Sequence, residues 1–302
     1  MMLFSRILVG VDDSAAANEA VALGARLARE HDGQLILGHS VKWLAVVSQM
    51  AASGAIVDTS PIVNDLKTEG EALLDRAINA ARAEGVEAQR HSLEGEPAQR
   101  LLELAAQLQC TAIIMGTHNR GSLEELFVGS TTETLLRASM IPVLTVRSGV
   151  AHLDAKRRCF ERIVAGVDES EPSDAAIAAV LALPAEDREQ VFFYSVAHTT
   201  DDREQAERVV AKAVAKADAC GVSAKGRVIG GNPVEALLGA ARERGADLLV
   251  LGSHGRRGLH RLFLGSVAEH VVRSAPLPVL VIRTQNGADA PRHSAQREPS
   301  HV

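Results

Sequence analysis

Aromatic residues make up only 3 % of this 302-residue chain: one Trp, one Tyr and six Phe. A core so poor in rings must be filled by Val, Leu, Ile and Ala, and apolar residues as a whole reach 46 %. That filling suits a parallel sheet flanked by helices. Cysteine is scarce as well. Cys110, Cys159 and Cys220 are odd in number and far apart, and none belongs to a C-x-x-C pair. This argues against a disulfide framework or a zinc site and for buried, reduced thiols in a cytoplasmic protein. There is no excess of positive charge. The net charge of −6 and pI near 6 lack the basic footprint that a nucleic-acid partner requires. No apolar run reaches the roughly 18 residues of a membrane span. The N-terminal apolar run is broken by Arg6, ends at Asp12 and has no small-residue cleavage site, so it reads as a first strand rather than a signal peptide. Several catalytic signatures are also missing. The chain has no G-x-x-x-x-G-K-S/T, no G-x-G-x-x-G after a strand, no G-x-S-x-G and no H-E-x-x-H.

What is present is a duplication. Residues 110–147 align without a gap on residues 246–283, sharing Gly116/Gly252, His118/His254, Gly129/Gly265, Ser130/Ser266 and a closing Pro-Val-Leu. Arg6 to Asp12 recurs as Arg162 to Asp168. Each repeat is long enough to bury its own core. The expected division is domain 1 over 1–148, a linker over 149–159, domain 2 over 160–284 and an aperiodic, disordered tail over 285–302.

Within each repeat, continuous apolar runs alternate with helical patterns. In the first, strands are expected at Ile7–Val11, Leu35–Ser40, Val86–Ser92, Thr111–Met115 and Val143–Val146. Helices are expected after Ser14, over Leu66–Glu84, from Pro97 and over Gly129–Ala138. The second repeat follows the same order. Alternation of this kind implies right-handed crossovers and a doubly wound α/β sheet in each half. The first repeat is longer by roughly 20 residues, nearly all between Trp43 and Pro61. That insert reads as an extra helical turn or a loop, or alternatively as a lid or subunit contact built on Trp43, Val46, Val47 and Met50.

The chemistry concentrates after the fourth strand. Gly252, His254 and Gly255 are followed by Gly265-Ser266-Val267, where a helix begins, with Arg256 and Arg257 between. Free amides and the dipole at a helix start suit an anion. Glycines permit close approach and positive φ, and a Ser hydroxyl adds a donor. The first repeat offers Gly116, His118, Gly129, Ser130 and Thr131, but has Asn119 where the second has Gly255. Asn tolerates the left-handed region, so the turn survives there, while its side chain crowds a phosphate. A bland reading also exists, in which the glycines only make a tight strand–helix loop. Asp12 and Asp168 end the first strand of each repeat. Either they face a ligand in the crevice beside the fourth strand, or they cap the following helix as Asx turns. Glu133 and Glu269 stand four residues before Arg137 and Arg273, as an exposed helix pair would.

The G-x2-G-x9-G-S/T spacing, found twice after a strand, resembles the universal stress protein family in its ATP-binding branch. The whole chain is similar to the tandem type, with two such domains fused. The resemblance implies a five-stranded parallel sheet ordered 3-2-1-4-5 in each half. It also implies pairing of the two fifth strands into an intramolecular pseudo-dimer, with a homodimer of whole chains left open. By the same resemblance Gly252, Gly255, Gly265, Ser266 and Val267 hold the phosphates and ribose of ATP or ADP with Mg2+. Gly116, Gly129, Ser130 and Thr131 do so in the first half, with Asn119 as the departure. Asp12 and Asp168 lie beside the adenosine, and main chain near Ser40 and Ser195 meets the adenine. The implied function is a stress or signalling module that binds nucleotide without efficient turnover. The alternatives are a slow ATP hydrolase or nucleotidyl transferase, or an interaction protein with vestigial sites.

Overall fold

The computed structural model describes residues 2–43, 58–117, 128–149, 158–184, 190–197, 199–255 and 264–284. In the first half the order is β1 (Arg6–Gly10), α1 (Ala15–Glu30), β2 (Gln34–Val41), α2 (Ser60–Ala83), β3 (Ala88–Glu94), α3 (Pro97–Gln107), β4 (Ala112–Thr117), α4 (Ser130–Ala138) and β5 (Val143–Arg147). In the second half it is β6 (Arg162–Gly166), α5 (Glu171–Leu181), β7 (Gln190–Ala197), α6 (Thr200–Ala219), β8 (Ala224–Gly230), α7 (Pro233–Arg244), β9 (Leu248–Gly252), α8 (Ser266–Ser274) and β10 (Val279–Ile282).

The strands form one ten-stranded sheet, ordered β3-β2-β1-β4-β5-β10-β9-β6-β7-β8. Each half is therefore a parallel 3-2-1-4-5 sheet. The halves meet where β5 and β10 pair antiparallel, with Leu144 opposite Leu280. This pairing closes two apolar strand edges that would otherwise lie open. Side chains alternate across the sheet. Ile7 and Val9 enter the core beneath α1, α2, α5 and α6, while Leu8 enters the core beneath α3, α4, α7 and α8. Both cores run across the two halves. Phe4 of the first half meets Phe160 of the second with ring centroids 6.0 Å apart.

Three particulars depart from the sequence reading. Helix α2 starts six residues before Leu66, at Ser60-Pro61. Its first turns are mostly exposed and bury nothing before Gly70, so no apolar period marks them, and Pro61 fits a first turn. Cys159, assigned to the linker, is buried and receives Glu30: its amide donates to the carboxylate at 3.0 Å. Cys220 is exposed rather than buried, because it caps the exposed C-terminus of α6. Burial pushes the Cys110 thiol up to about 11, and burial with the adjacent Glu30 pushes Cys159 higher still. Residues 44–57 of the insert, the tail beyond Thr284 and most of the linker lie outside the described residues. Trp43 itself donates from Nε1 to Glu94 at 2.7 Å. Among the described residues no helix is long and apolar enough to cross a membrane.

Candidate nucleotide clefts

Each half opens a crevice at the carboxyl ends of its first and fourth strands, the switch point of a doubly wound sheet. In domain 2 the cleft holds about 760 Å³. Its walls include Asp168 after β6, Tyr194, Ser195 and Val196 on β7, and Gly252, His254 and Gly255 at the end of β9. Asn232 and Pro233 of α7 and Gly265, Ser266 and Val267 of α8 complete it. The domain 1 cleft is half as large, about 380 Å³, and is lined by Asp12, Ser40, Gly116, Gly129, Ser130 and Thr131 among others. His118, Asn119, Arg256 and Arg257 lie outside the described residues.

The glycines of the motif have different jobs. None of Gly116, Gly252, Gly255 or Gly265 takes a positive φ, so the left-handed argument does not apply to these glycines. They are required by close approach. A Cβ on Gly116 would lie 2.6 Å from the backbone of Ala16 and Ala17, and one on Gly252 would lie 2.9 Å from Pro172. These first glycines let the start of α1 or α5 pack against the neighbouring strand. A Cβ on Gly255 would lie 2.6 Å from Asp168 Oδ2. A Cβ on Gly265 would lie 3.0 Å from the backbone of His254, and the Gly265 amide donates to the Ser253 carbonyl at 2.7 Å, closing the loop. Ser253 is fully buried and donates its own amide to Ile282 at 2.7 Å.

The two aspartates do form the Asx turns. Asp168 Oδ1 accepts the amide of Ser170 at 2.9 Å, and Asp12 Oδ1 accepts that of Ser14 at 3.0 Å. Ser14 and Ser170 in turn cap α1 and α5. Both aspartates also line their clefts, so the capping and the cleft-facing placement coincide. The Ser170 hydroxyl reaches the carbonyl of His254 at 3.2 Å and joins the two cleft walls. His254 Nδ1 lies 3.1 Å from Ser253 Oγ.

Helices α4 and α8 begin differently. Gly129 and Gly265 occupy their N-cap positions, and no side chain caps either helix. Ser130 and Ser266 are exposed and line the clefts, so first-turn donors face the space where an anion would sit. The Glu133–Arg137 and Glu269–Arg273 pairs stand at 2.6 Å on the same two helices, as i,i+4 ion pairs.

Ser40 and Ser195 both line a cleft but are not equivalent. Gly10 pairs with Gly38 on β2, and Gly166 pairs with Tyr194 on β7. Ser195 therefore corresponds to His39, and Ser40 to Val196. The one-residue offset turns them to opposite faces of the sheet. Ser195 is buried, whereas Ser40 donates to the carbonyl of Gly95 at 2.9 Å. Sequence reasoning missed Tyr194, whose hydroxyl accepts from Arg244 Nε at 2.9 Å, and also Asn232, the cap of α7. The cap was legible in Asn232-Pro233. The Tyr194 contact joins residues 50 positions apart and leaves no local mark. Among the described residues no cluster of His, Cys, Asp and Glu could hold a metal ion.

This geometry can be set beside known proteins. The sequence matches the Universal stress protein family over residues 3–147 and again over 160–283. A universal stress protein of Mycolicibacterium smegmatis is 28 % identical over 297 residues, covering 92 % of this chain and 96 % of that one. The universal stress protein YxiE of Bacillus subtilis is 30 % identical over 149 residues, 48 % of this chain and 100 % of its own length. A universal stress protein structure from Archaeoglobus fulgidus shares the fold at TM-score 0.72 and 18 % identity, covering 93 % of this chain and 97 % of that one. With the motif found twice, the 3-2-1-4-5 sheet built twice and the match falling on both halves, the chain belongs to the universal stress protein family, as a tandem of two family domains.

Proposed function

We propose that the protein binds ATP or ADP, with Mg2+, in its clefts, domain 2 foremost, and acts as a nucleotide-responsive stress or signalling module in the cytoplasm without efficient turnover. The observation that carries this reading is the start of α8. Gly265 leaves the helix without a side-chain cap, and Ser266 and Val267 line a cleft that also holds Asp168 and Ser195. The amides supply donors for phosphate, while Asp168 and the end of β7 supply acceptors for ribose and base. Domain 1 offers the same start to α4, but in half the volume and with Asn119 in place of the second glycine. It is the weaker site. The chain's three free thiols, Cys110, Cys159 and Cys220, suit a reducing compartment.

Denaturing the purified protein and identifying the nucleotide released tests the reading. The expected result is ATP or ADP, near one equivalent if domain 2 alone is filled and near two if both are. Gly265→Glu should abolish retention in domain 2 by placing a carboxylate at the anion's donors. Full retention in that variant, or no nucleotide binding by the unaltered protein, overturns the reading. Sustained phosphate release above about one per minute would instead make the protein a slow hydrolase.

A further inference from the structure

The helix that frames each cleft is held at its far end by the other domain. Arg147 ends β5 of domain 1, and its Nη1 donates to the carbonyl of Arg273 in the last turn of α8 at 2.9 Å. The reciprocal contact is present: Arg283, just past β10, donates to the carbonyl of Arg137 in the last turn of α4. These arginines are also tied to the loop-bearing strands of their own domains. Arg147 is opposite Thr117 in the β4–β5 ladder, one residue beyond Gly116. Thr117 Oγ1 donates to Val146 at 3.3 Å. In domain 2, Gly252 is opposite Ile282, the neighbour of Arg283.

From this geometry we infer that Arg147 is a positioning residue for the nucleotide cleft of domain 2, and Arg283 its counterpart for domain 1. Each bonds to a last-turn carbonyl of the helix it serves, at the end away from the cleft. It acts through a nine-residue helix whose opposite end supplies the uncapped amides. The cation satisfies a last-turn carbonyl and complements the negative end of the helix dipole. Doing so fixes where along its axis the helix presents its first turn. A phosphate bound at that turn depends on donors placed to within fractions of an ångström, whereas a nucleoside without phosphate does not. The two clefts are thereby built jointly, and neither domain has a complete anion site without the β5–β10 pairing.

This inference rests on the nucleotide reading, and its test separates the two. ATP and adenosine binding are measured by calorimetry on the full chain, with the domain 1 site closed by Ser130→Glu in every protein. Arg147→Ala should weaken ATP binding to domain 2 by about fivefold. Adenosine binding should be unchanged, and Arg147→Lys should recover most of the ATP affinity. Equal loss for ATP and adenosine, or no loss for either, overturns the inference while leaving the nucleotide reading intact. Failure of the parent protein to bind ATP overturns both. If Arg147→Ala does not fold, as judged by its thermal melt, the Arg147→Gln variant carries the same comparison.

Discussion

Oδ2 of Asp168 stands 2.6 Å from the point a Cβ on Gly255 would occupy. The aspartate ending the first strand and the second glycine of the motif are 87 positions apart, yet they share one volume. The requirement for glycine at this position is thus set by the aspartate as well as by any phosphate. It explains why the two domains should differ: domain 1 keeps Asp12 but places Asn119 at the glycine position.

Gly255→Asn should therefore make domain 2 resemble domain 1. The new side chain displaces either the aspartate or the ligand, and retained nucleotide should fall by about tenfold in affinity, some 1.4 kcal/mol. Asn119→Gly should do the reverse and raise occupancy of domain 1. Nucleotide per chain after gel filtration reports both. Unchanged stoichiometry in both variants would remove steric competition as the cause of the asymmetry.

Gly116→Ala and Gly252→Ala should lower stability before they affect binding. Their added Cβ atoms meet backbone, at 2.6 Å for Gly116 and 2.9 Å for Gly252, and backbone cannot swing aside as a flexible side chain can. Overpacking of this kind costs about 1–3 kcal/mol, and Gly116→Ala should be the worse of the two. Urea unfolding midpoints give the order. Two variants as stable as the parent would mean that α1 and α5 can retreat from the sheet without loss.

Asp247 should impose a pH dependence on stability. Its carboxylate accepts the amides of Glu161 at 3.0 Å and Arg162 at 3.0 Å, but burial outweighs these bonds and raises it to about 6 from the usual 3.8. Between about pH 4 and pH 6 the folded chain then holds more protons than the unfolded chain at this site, so its contribution falls as pH rises through that window. The size is about 3 kcal/mol for a shift of this order. Asp247→Asn should remove this part of the slope. The measurement is the difference in unfolding free energy between parent and variant at several pH values. A difference that does not change from pH 4 to pH 6.5 would sink the assignment.

Most of the fold was legible because it is written locally. Continuous apolar runs at Ile7 and Ile163 mark strands buried on both faces. Ser14 marks a helix start, and the unequal offsets between matched segments locate an insert after the second strand of domain 1. The start of α2 was illegible because exposed turns carry no apolar period. The loop after β4, with its Gly, His and Gly-Ser, was visible as a motif.

By itself the chain's sequence determined the duplication, the order of strands and helices in each half, and the positions of the two glycine loops. These follow from patterns a few residues long. Only the tertiary structure decided what each glycine is for, that Ser195 matches His39 rather than Ser40, and that Arg147 reaches Arg273 across the β5–β10 seam. The reason is physical: steric exclusion and hydrogen bonding between distant segments depend on where the sheet brings them, and a distance in space has no counterpart in residue spacing.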